Sequence, residues 1–239
     1  AKERKDLNKA IRKINKDLAA LGYEDKELSA RVLQNLDFAR ANLKANIYDQ
    51  AVLEGVATTF PQTEDIIENG QVHGVSATDV QKILKHAWEF ILDRDVIQSE
   101  SNYHMLCHIA KLVNEGFFYD GGRIRGIPVQ IGGTSYVPPL PIETVVIERI
   151  DEIRSQDKEP IEIAIELCMY CMKTQVFKDG NKRASVIFAN HYLIAQGMGF
   201  LVIPEKDVPE FKKLLVQYYE GEPLEVIGAF LKERCWKNF

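Results

Sequence analysis

The stretch Thr174–Ser185, "TQVFKDGNKRAS", joins two apolar segments that read as helices, and the rest of the chain is read outward from it. It sets Asp179, Gly180, Asn181, Lys182 and Arg183 side by side. Two cations thus fall in the first turn of the second helix, where the macrodipole disfavours positive charge by about 0.3–1 kcal/mol each. The segment before, "IEIAIELCMYCMK", is apolar nearly all round, and the one after, "KRASVIFANHYLIAQG", is mostly apolar. Both are expected at the centre of the fold, with the loop held rigidly at its surface. Backbone N–H groups at the start of the second helix lack intrahelical partners, and Gly180 allows close approach, which together suit a phosphate. A ligand with several negative charges would offset the placement of Lys182 and Arg183. Asp179 beside them would then be a Mg²⁺ ligand bridging to phosphate oxygens. The same spacing equally serves a local Asp179–Arg183 ion pair that caps the helix, and Asp-Gly-Asn is also a common turn.

A chain of 239 residues suffices for one large domain, or one domain with a helical appendage. With 46% hydrophobic and 27% charged residues it has ample apolar content for a core. A net charge of −5 argues against a general nucleic-acid binder. No apolar run approaches a membrane span and no signal peptide is visible, so a cytoplasmic location is expected. The first residue is Ala1 rather than Met, so residues preceding it are to be expected. Cys168 and Cys171 form a lone C-x-x-C without a second ligand pair or a thioredoxin-like context, and read as buried helical cysteines.

The opening 27 residues place Leu7, Ile11, Ile14, Leu18 and Leu21 at steps of four and three, an apolar seam on a charged helix that needs a partner and is one route to a homodimer. A second helix runs from about Ser29 to a breaker at Gly55. The two read as a helical hairpin, residues 1–60, that either packs or leans on a site in the remainder, 61–239. Helical patterns follow in "SATDVQKILKHAWEFILD" and "SNYHMLCHIAKLVNEG". In the latter, His104 and His108 stand one turn apart, either packing or forming half a metal pair. The texture then changes. "GGRIRGIPVQIGGTSYVPPLP" alternates Ile127, Val129 and Ile131 between glycines, then carries Tyr136 and three prolines, which reads as a short β-hairpin and an extended segment. A lone hairpin is marginal, so it must lie on the helical body, where its edge can accept a peptide strand. From Ile142 the pattern is helical again to the end.

These residues carry a resemblance. "QVFKDGNKRAS" is similar to the signature of the Fic and Doc family, H-x-F-x-[DE]-G-N-x-R, matching it at Phe177, Asp179, Gly180, Asn181 and Arg183. "LCHIAKLVNEGFFYDGGRIR" resembles the family's helix leading into a flap, residues 121–141 the flap hairpin, and residues 189–221 the stretch after the motif. The likeness spans roughly residues 75 to 235.

The resemblance implies an all-α, Fic-like helical bundle with a short β-hairpin flap, preceded by the N-terminal helical hairpin. It implies transfer of AMP from ATP to a Ser, Thr or Tyr hydroxyl of a target protein. By the same likeness Gly180 and Asn181, with Phe177, Lys182 and Arg183, form the nucleotide site, Asp179 holds Mg²⁺, and the flap around Ile127, Val129 and Ile131 docks the target. The family's histidine, the general base, is here Gln175, whose amide does not titrate usefully. The residue after Asn181 is Lys182, as in the Doc branch, which transfers a terminal phosphate. The second arginine of the motif is here Val186. "QAVLEG", Gln50–Gly55, has the spacing of the family's inhibitory segment [ST]-x-x-x-E-[GN], with Glu54 as the blocking glutamate or simply a helical surface residue. Three functions stay open: a weak adenylyltransferase, an inactive Fic-fold regulatory or interaction module, and a Doc-like phosphotransferase.

Overall fold

The computed structural model describes residues 28–55, 75–116 and 119–239. The chain divides into two compact units, Ala1–Ala30 and Arg31–Phe239, and the account below is of the second. The seam of Leu7 to Leu21 lies outside the described residues. In order come α1 (Ala30–Ala41), α2 (Leu43–Leu53), α3 (Val75–Ile91), the single turn α4 (Arg94–Ile97), α5 (Tyr103–Val113), α6 (Glu143–Arg154), α7 (Pro160–Thr174), α8 (Asn181–Ala195), β1 (Phe200–Leu201), α9 (Val208–Tyr219), α10 (Leu224–Phe230) and β2 (Trp236–Lys237). The expected all-α fold is found. No helix among the described residues is long and apolar enough to cross a membrane.

The core is built on α7 and α8. From Ile161 to Met172 nearly every side chain of α7 is buried, and in α8 so is every described side chain from Asn181 to Ile194 except Lys182. An apolar helix cannot face water on any side, so each needs neighbours all round. They pack most extensively on each other; α5, α3 and β1 cover α8, while α6 and α10 cover α7. Cys168 and Cys171 are interior residues of α7, and burial pushes the Cys168 thiol up to about 12. The helix expected from Ser29 to Gly55 is interrupted at Asn42, whose side-chain amide donates to the Phe38 carbonyl at 2.9 Å. Such back-bonding competes with the helical ladder and separates α1 from α2. Gly55, at φ +81°, follows α2 as expected.

The β structure differs from expectation. Among the described residues the pairing is β1 with β2, Phe200 opposite Lys237 and Leu201 opposite Trp236. Residues 124–131 join no ladder, and the flap is a strap tied to the helical body through Arg125. Its chemistry explains this. Pro128, Pro138, Pro139 and Pro141 have no N–H to donate. The carbonyls of Ile127, Pro138 and Pro139 accept instead from the guanidinium of Arg125, at 2.9, 3.3 and 2.6 Å. The alternation of Ile127, Val129 and Ile131 is real, but a side chain holds the two arms together.

His191, wholly buried in α8, joins α4 to the core. Its Nε2 lies 3.0 Å from the Val96 carbonyl, which only accepts, so Nε2 carries the proton and Nδ1 accepts from the Ser101 hydroxyl at 2.7 Å. Burial lowers its pKa, and the bond to Val96 offsets this in part. An unfolded histidine titrates near about 6.5, so below that pH the unfolded chain takes up the extra proton first. The contribution is whole above about pH 6.5 and is lost as pH falls toward the folded value. Urea unfolding at pH 7.5 and 5.5 is expected to show a larger loss of stability in the native chain than in His191→Gln. Equal losses would show that His191 is not responsible.

Candidate functional site

The loop after α7 is shaped by residues that bond to the loop itself. Gln175 is the one non-glycine residue with positive φ among those described, at 49°. That conformation costs an L-residue about 1–2 kcal/mol. Three bonds hold it there. Its backbone N–H donates to the Cys171 carbonyl at 3.2 Å, its Nε2 donates to the Met172 carbonyl at 2.7 Å, and its own carbonyl accepts from Arg125 Nε at 2.6 Å. Gln175 therefore satisfies carbonyls of the last turn of α7. Its Oε1 accepts from Asn181 Nδ2 at 3.1 Å, so both ends of the amide are engaged within the loop. Asn181 also accepts from the Phe177 N–H at 2.9 Å and donates to the Phe177 carbonyl at 2.8 Å. Phe177 fills the core behind the loop.

Gly180, at φ +73°, opens α8, and no side chain among the described residues caps that N-terminus. The N–H groups of the first turn are left for another acceptor. A Cβ on Gly180 would stand 2.7 Å from Asn114 Oδ1. Asn114, just past α5, donates to the Asp179 carbonyl at 3.0 Å and accepts from Arg183 Nη2 at 3.3 Å, so it grips the loop from behind.

Two carboxylates face the cations. Arg183, with its side chain 9% exposed, is 3.2 Å from Glu54 and 3.0 Å from Asp179. Glu54, at the C-terminal end of α2, also lies 3.8 Å from the Lys182 ammonium. Glu54 therefore meets both cations and is not a free surface residue. The pairing of Asp179 with Arg183 also exists; the other Asp179 oxygen, Oδ1, has no protein partner among the described residues. Glu54 Oε1 and Arg183 Nε are buried without a hydrogen-bond partner in the protein, an unusual state for such groups. Gln50 anchors α2 here, donating to the Arg183 carbonyl at 3.1 Å and accepting from Trp88 Nε1 at 2.8 Å.

Glu54, Asp179 and Lys182 line a cleft of about 550 Å³. Its floor is Gln175 and Asp179 to Lys182, one wall is Glu54, the strap turn Gln130–Gly133 covers it, and Lys212, Leu215, Val216 and Tyr219 of α9 close the far side. That volume lies in the range of small-molecule sites, with apolar and charged walls opposed. Ile131 lines the cleft; Val129 is half-buried and Ile127 is exposed at the strap's edge. His104 and His108 stand apart from it, against Tyr103 and Phe90, and no group of three metal-ligating side chains occurs among the described residues. Asn114, Arg125 and Lys212 were not found in the sequence. Asn114 and Arg125 bond mainly to carbonyls, which no side-chain motif reveals, and Lys212 is one lysine among many on an amphipathic helix.

An all-helical body that presents a glycine-opened helix N-terminus beside a strap defines the class. The Fic/DOC family model matches residues 100–193, which bears out the resemblance read from the sequence: a Fic/DOC family domain lies there. Two curated relatives are protein adenylyltransferase Fic of Drosophila willistoni, 26% identical over 225 residues, and of Drosophila grimshawi, 24% identical over 225 residues. Each alignment takes in 86% of this chain, and the chain spans 43% and 44% of those relatives' lengths. Among solved structures, a Fic domain containing signaling protein from Bacteroides thetaiotaomicron superposes with TM-score 0.67 at 18% identity, covering 87% of this chain and 86% of that one. Fic-1 from C. elegans superposes with TM-score 0.65 at 20% identity, covering 96% and 73%. At these identities the structural likeness speaks for the fold.

Gly180→Ala is expected to lower stability by about 1–2 kcal/mol, since alanine would hold φ near +73° and press on Asn114. Chemical denaturation checks this; an unchanged midpoint would mean that the loop can rearrange.

Proposed function

We propose that the cleft binds a nucleoside triphosphate, ATP with Mg²⁺, and that the chain is an adenylyltransferase-like protein whose transfer of AMP to a protein hydroxyl is slow and restrained. The observation that carries this is the uncapped N-terminus of α8 behind Gly180, which with Lys182 lines a cleft of ligand size beside the Glu54–Arg183 ion pair. The names of the Drosophila relatives support the substrate class. In this reading the N–H groups of the first turn and the side chains of Lys182 and Arg183 receive the phosphates, while Leu215, Val216, Tyr219 and Ile131 receive the apolar part of the ligand. Asp179 fits Mg²⁺: it is half-exposed with one oxygen unengaged, and Mg²⁺ commonly takes one or two carboxylates and keeps phosphate and water for the rest. When bound, the ion would neutralise phosphate charge.

Two features restrain the chemistry. Glu54 holds the positions on Arg183 and Lys182 that phosphate oxygens would take, so a ligand must displace it. Gln175 cannot accept a proton from an attacking hydroxyl, and its amide is turned onto Met172 and Asn181. General-base assistance is typically worth about 10²–10⁴-fold, so turnover without it is slow rather than forbidden. The strap's outer edge, with Ile127 exposed, is where a target segment would dock.

Titration calorimetry with ATP and Mg²⁺ tests this. Glu54→Gly should bind at least about tenfold more tightly than the native chain, and adding Arg183→Ala should abolish that gain. Labelled ATP with candidate targets should show weak transfer by Glu54→Gly and stronger transfer by Glu54→Gly with Gln175→His. Failure of Glu54→Gly to bind ATP would sink the nucleotide reading. Binding without transfer by either form would leave a nucleotide-responsive interaction module.

A further inference from the structure

Arg125 begins the strap and is 2% exposed, yet no carboxylate pairs with it among the described residues. A buried guanidinium without a counter-charge is costly unless its donors are satisfied. Here four carbonyls do this: Gln175 at 2.6 Å to Nε, Ile127 at 2.9 Å to Nη1, and Pro138 and Pro139 at 3.3 and 2.6 Å to Nη2. Its backbone N–H donates to the Val176 carbonyl at 2.9 Å. One side chain thus joins three pieces of chain that share no ladder: the loop at Gln175, the outgoing arm of the strap and its return arm. The tip is held separately, by Glu220 Oε1, which accepts from the Thr134 hydroxyl at 2.9 Å and the Ser135 N–H at 3.1 Å. Between the two anchors runs the turn Gln130–Gly133 that covers the cleft.

We propose that Arg125 is a positioning residue: by bonding the carbonyls of both strap arms and of Gln175 together, it sets the distance between strap and phosphate loop, and with it the fit of a ligand lying between them. It touches no ligand itself. A lysine cannot replace it, because one ammonium does not present donors in a planar fork that spans four carbonyls. The ligand part of this inference rests on the nucleotide reading; the geometric part does not.

Three measurements on the full chain test it. In the native chain, the ¹⁵N-labelled Arg125 Nε–H should exchange with water on the order of a hundredfold more slowly than exposed arginines. In Arg125→Ala, amides of 126–137 should exchange at least about tenfold faster while those of α7 and α8 hold, and millimolar guanidinium should restore the strap. Fast exchange in the native chain, or a strap unaltered in Arg125→Ala, would overturn the proposal; so would failure of guanidinium to restore it. If Arg125→Ala does not fold, Arg125→Lys and the native-chain signal carry the test. In a Glu54→Gly background, Arg125→Lys should weaken ATP binding about tenfold and leave Mg²⁺-pyrophosphate, which needs only the loop, within about twofold. Equal weakening of both probes would make Arg125 a general stabiliser and overturn its positioning role. If the Glu54→Gly chain with Arg125 intact binds neither probe, the phosphate reading fails and the exchange measurements decide the case for Arg125.

Discussion

Arg183 is a cation in the first turn of a mostly buried helix, at the end where the dipole is already positive. Its charge cannot be left bare in the interior, because an unpaired buried ion is far costlier than the pairing it lacks. Much of the site follows from that constraint. Asp179 is bound to stand one turn before it, Asn114 to accept from it across the base of the loop, and the C-terminal end of α2 to approach near enough for Glu54 to reach it. Gln50 then fixes α2 by bonding the carbonyl of the same arginine and the indole of Trp88. The geometry that neutralises Arg183 also makes an anion site that is occupied by the protein's own carboxylate.

The loop that carries this charge is rigid by construction. Gln175 closes α7, Asn181 spans the loop, and Asn114 packs where a larger residue than Gly180 would collide. Preorganisation of this kind lets a helix N-terminus act on a ligand without first being ordered by it. It also explains what Gln175 does. A side chain whose amide satisfies a helix-end carbonyl and an asparagine is a structural member of the loop, whatever chemistry the position has in relatives.

The central helices were legible because their pattern is extreme: a helix apolar all round has one place to go, and a turn of Asp-Gly-Asn between two such helices has to lie at the surface. Glu54 was legible only through the likeness of Gln50–Gly55 to the inhibitory segment of the Fic and Doc family. The strap was legible as an extended excursion but not as to its bonding. Alternating Ile127, Val129 and Ile131 is the mark of a strand, and only the fold shows that Arg125 takes the carbonyls a ladder would use. Asn114 and Lys212 were hidden for a related reason. Asn114 grips the loop from behind and Lys212 lines the cleft, each from far away in sequence, and neither belongs to a pattern of its own. Asn42 was missed because a single back-bonding side chain leaves the apolar periodicity on both sides of it undisturbed.

Two sets of contacts resist opening of the cleft. Glu54 is held at the cations by Arg183 and by the anchoring of α2 through Gln50, so moving the carboxylate costs both an ion pair and its desolvated partner. Movement of the strap breaks charge-assisted bonds from the buried Arg125 guanidinium and exposed ones to the Glu220 carboxylate. Bonds to a charged group are worth about 1.5–3 kcal/mol net each, so the strap too is firmly held. A ligand carrying several negative charges can offset the first cost, because its phosphates replace Glu54 against the same guanidinium. A neutral one cannot. On the proposed reading, then, the cleft would select by sign before shape, because an anion of sufficient charge could replace Glu54 against Arg183.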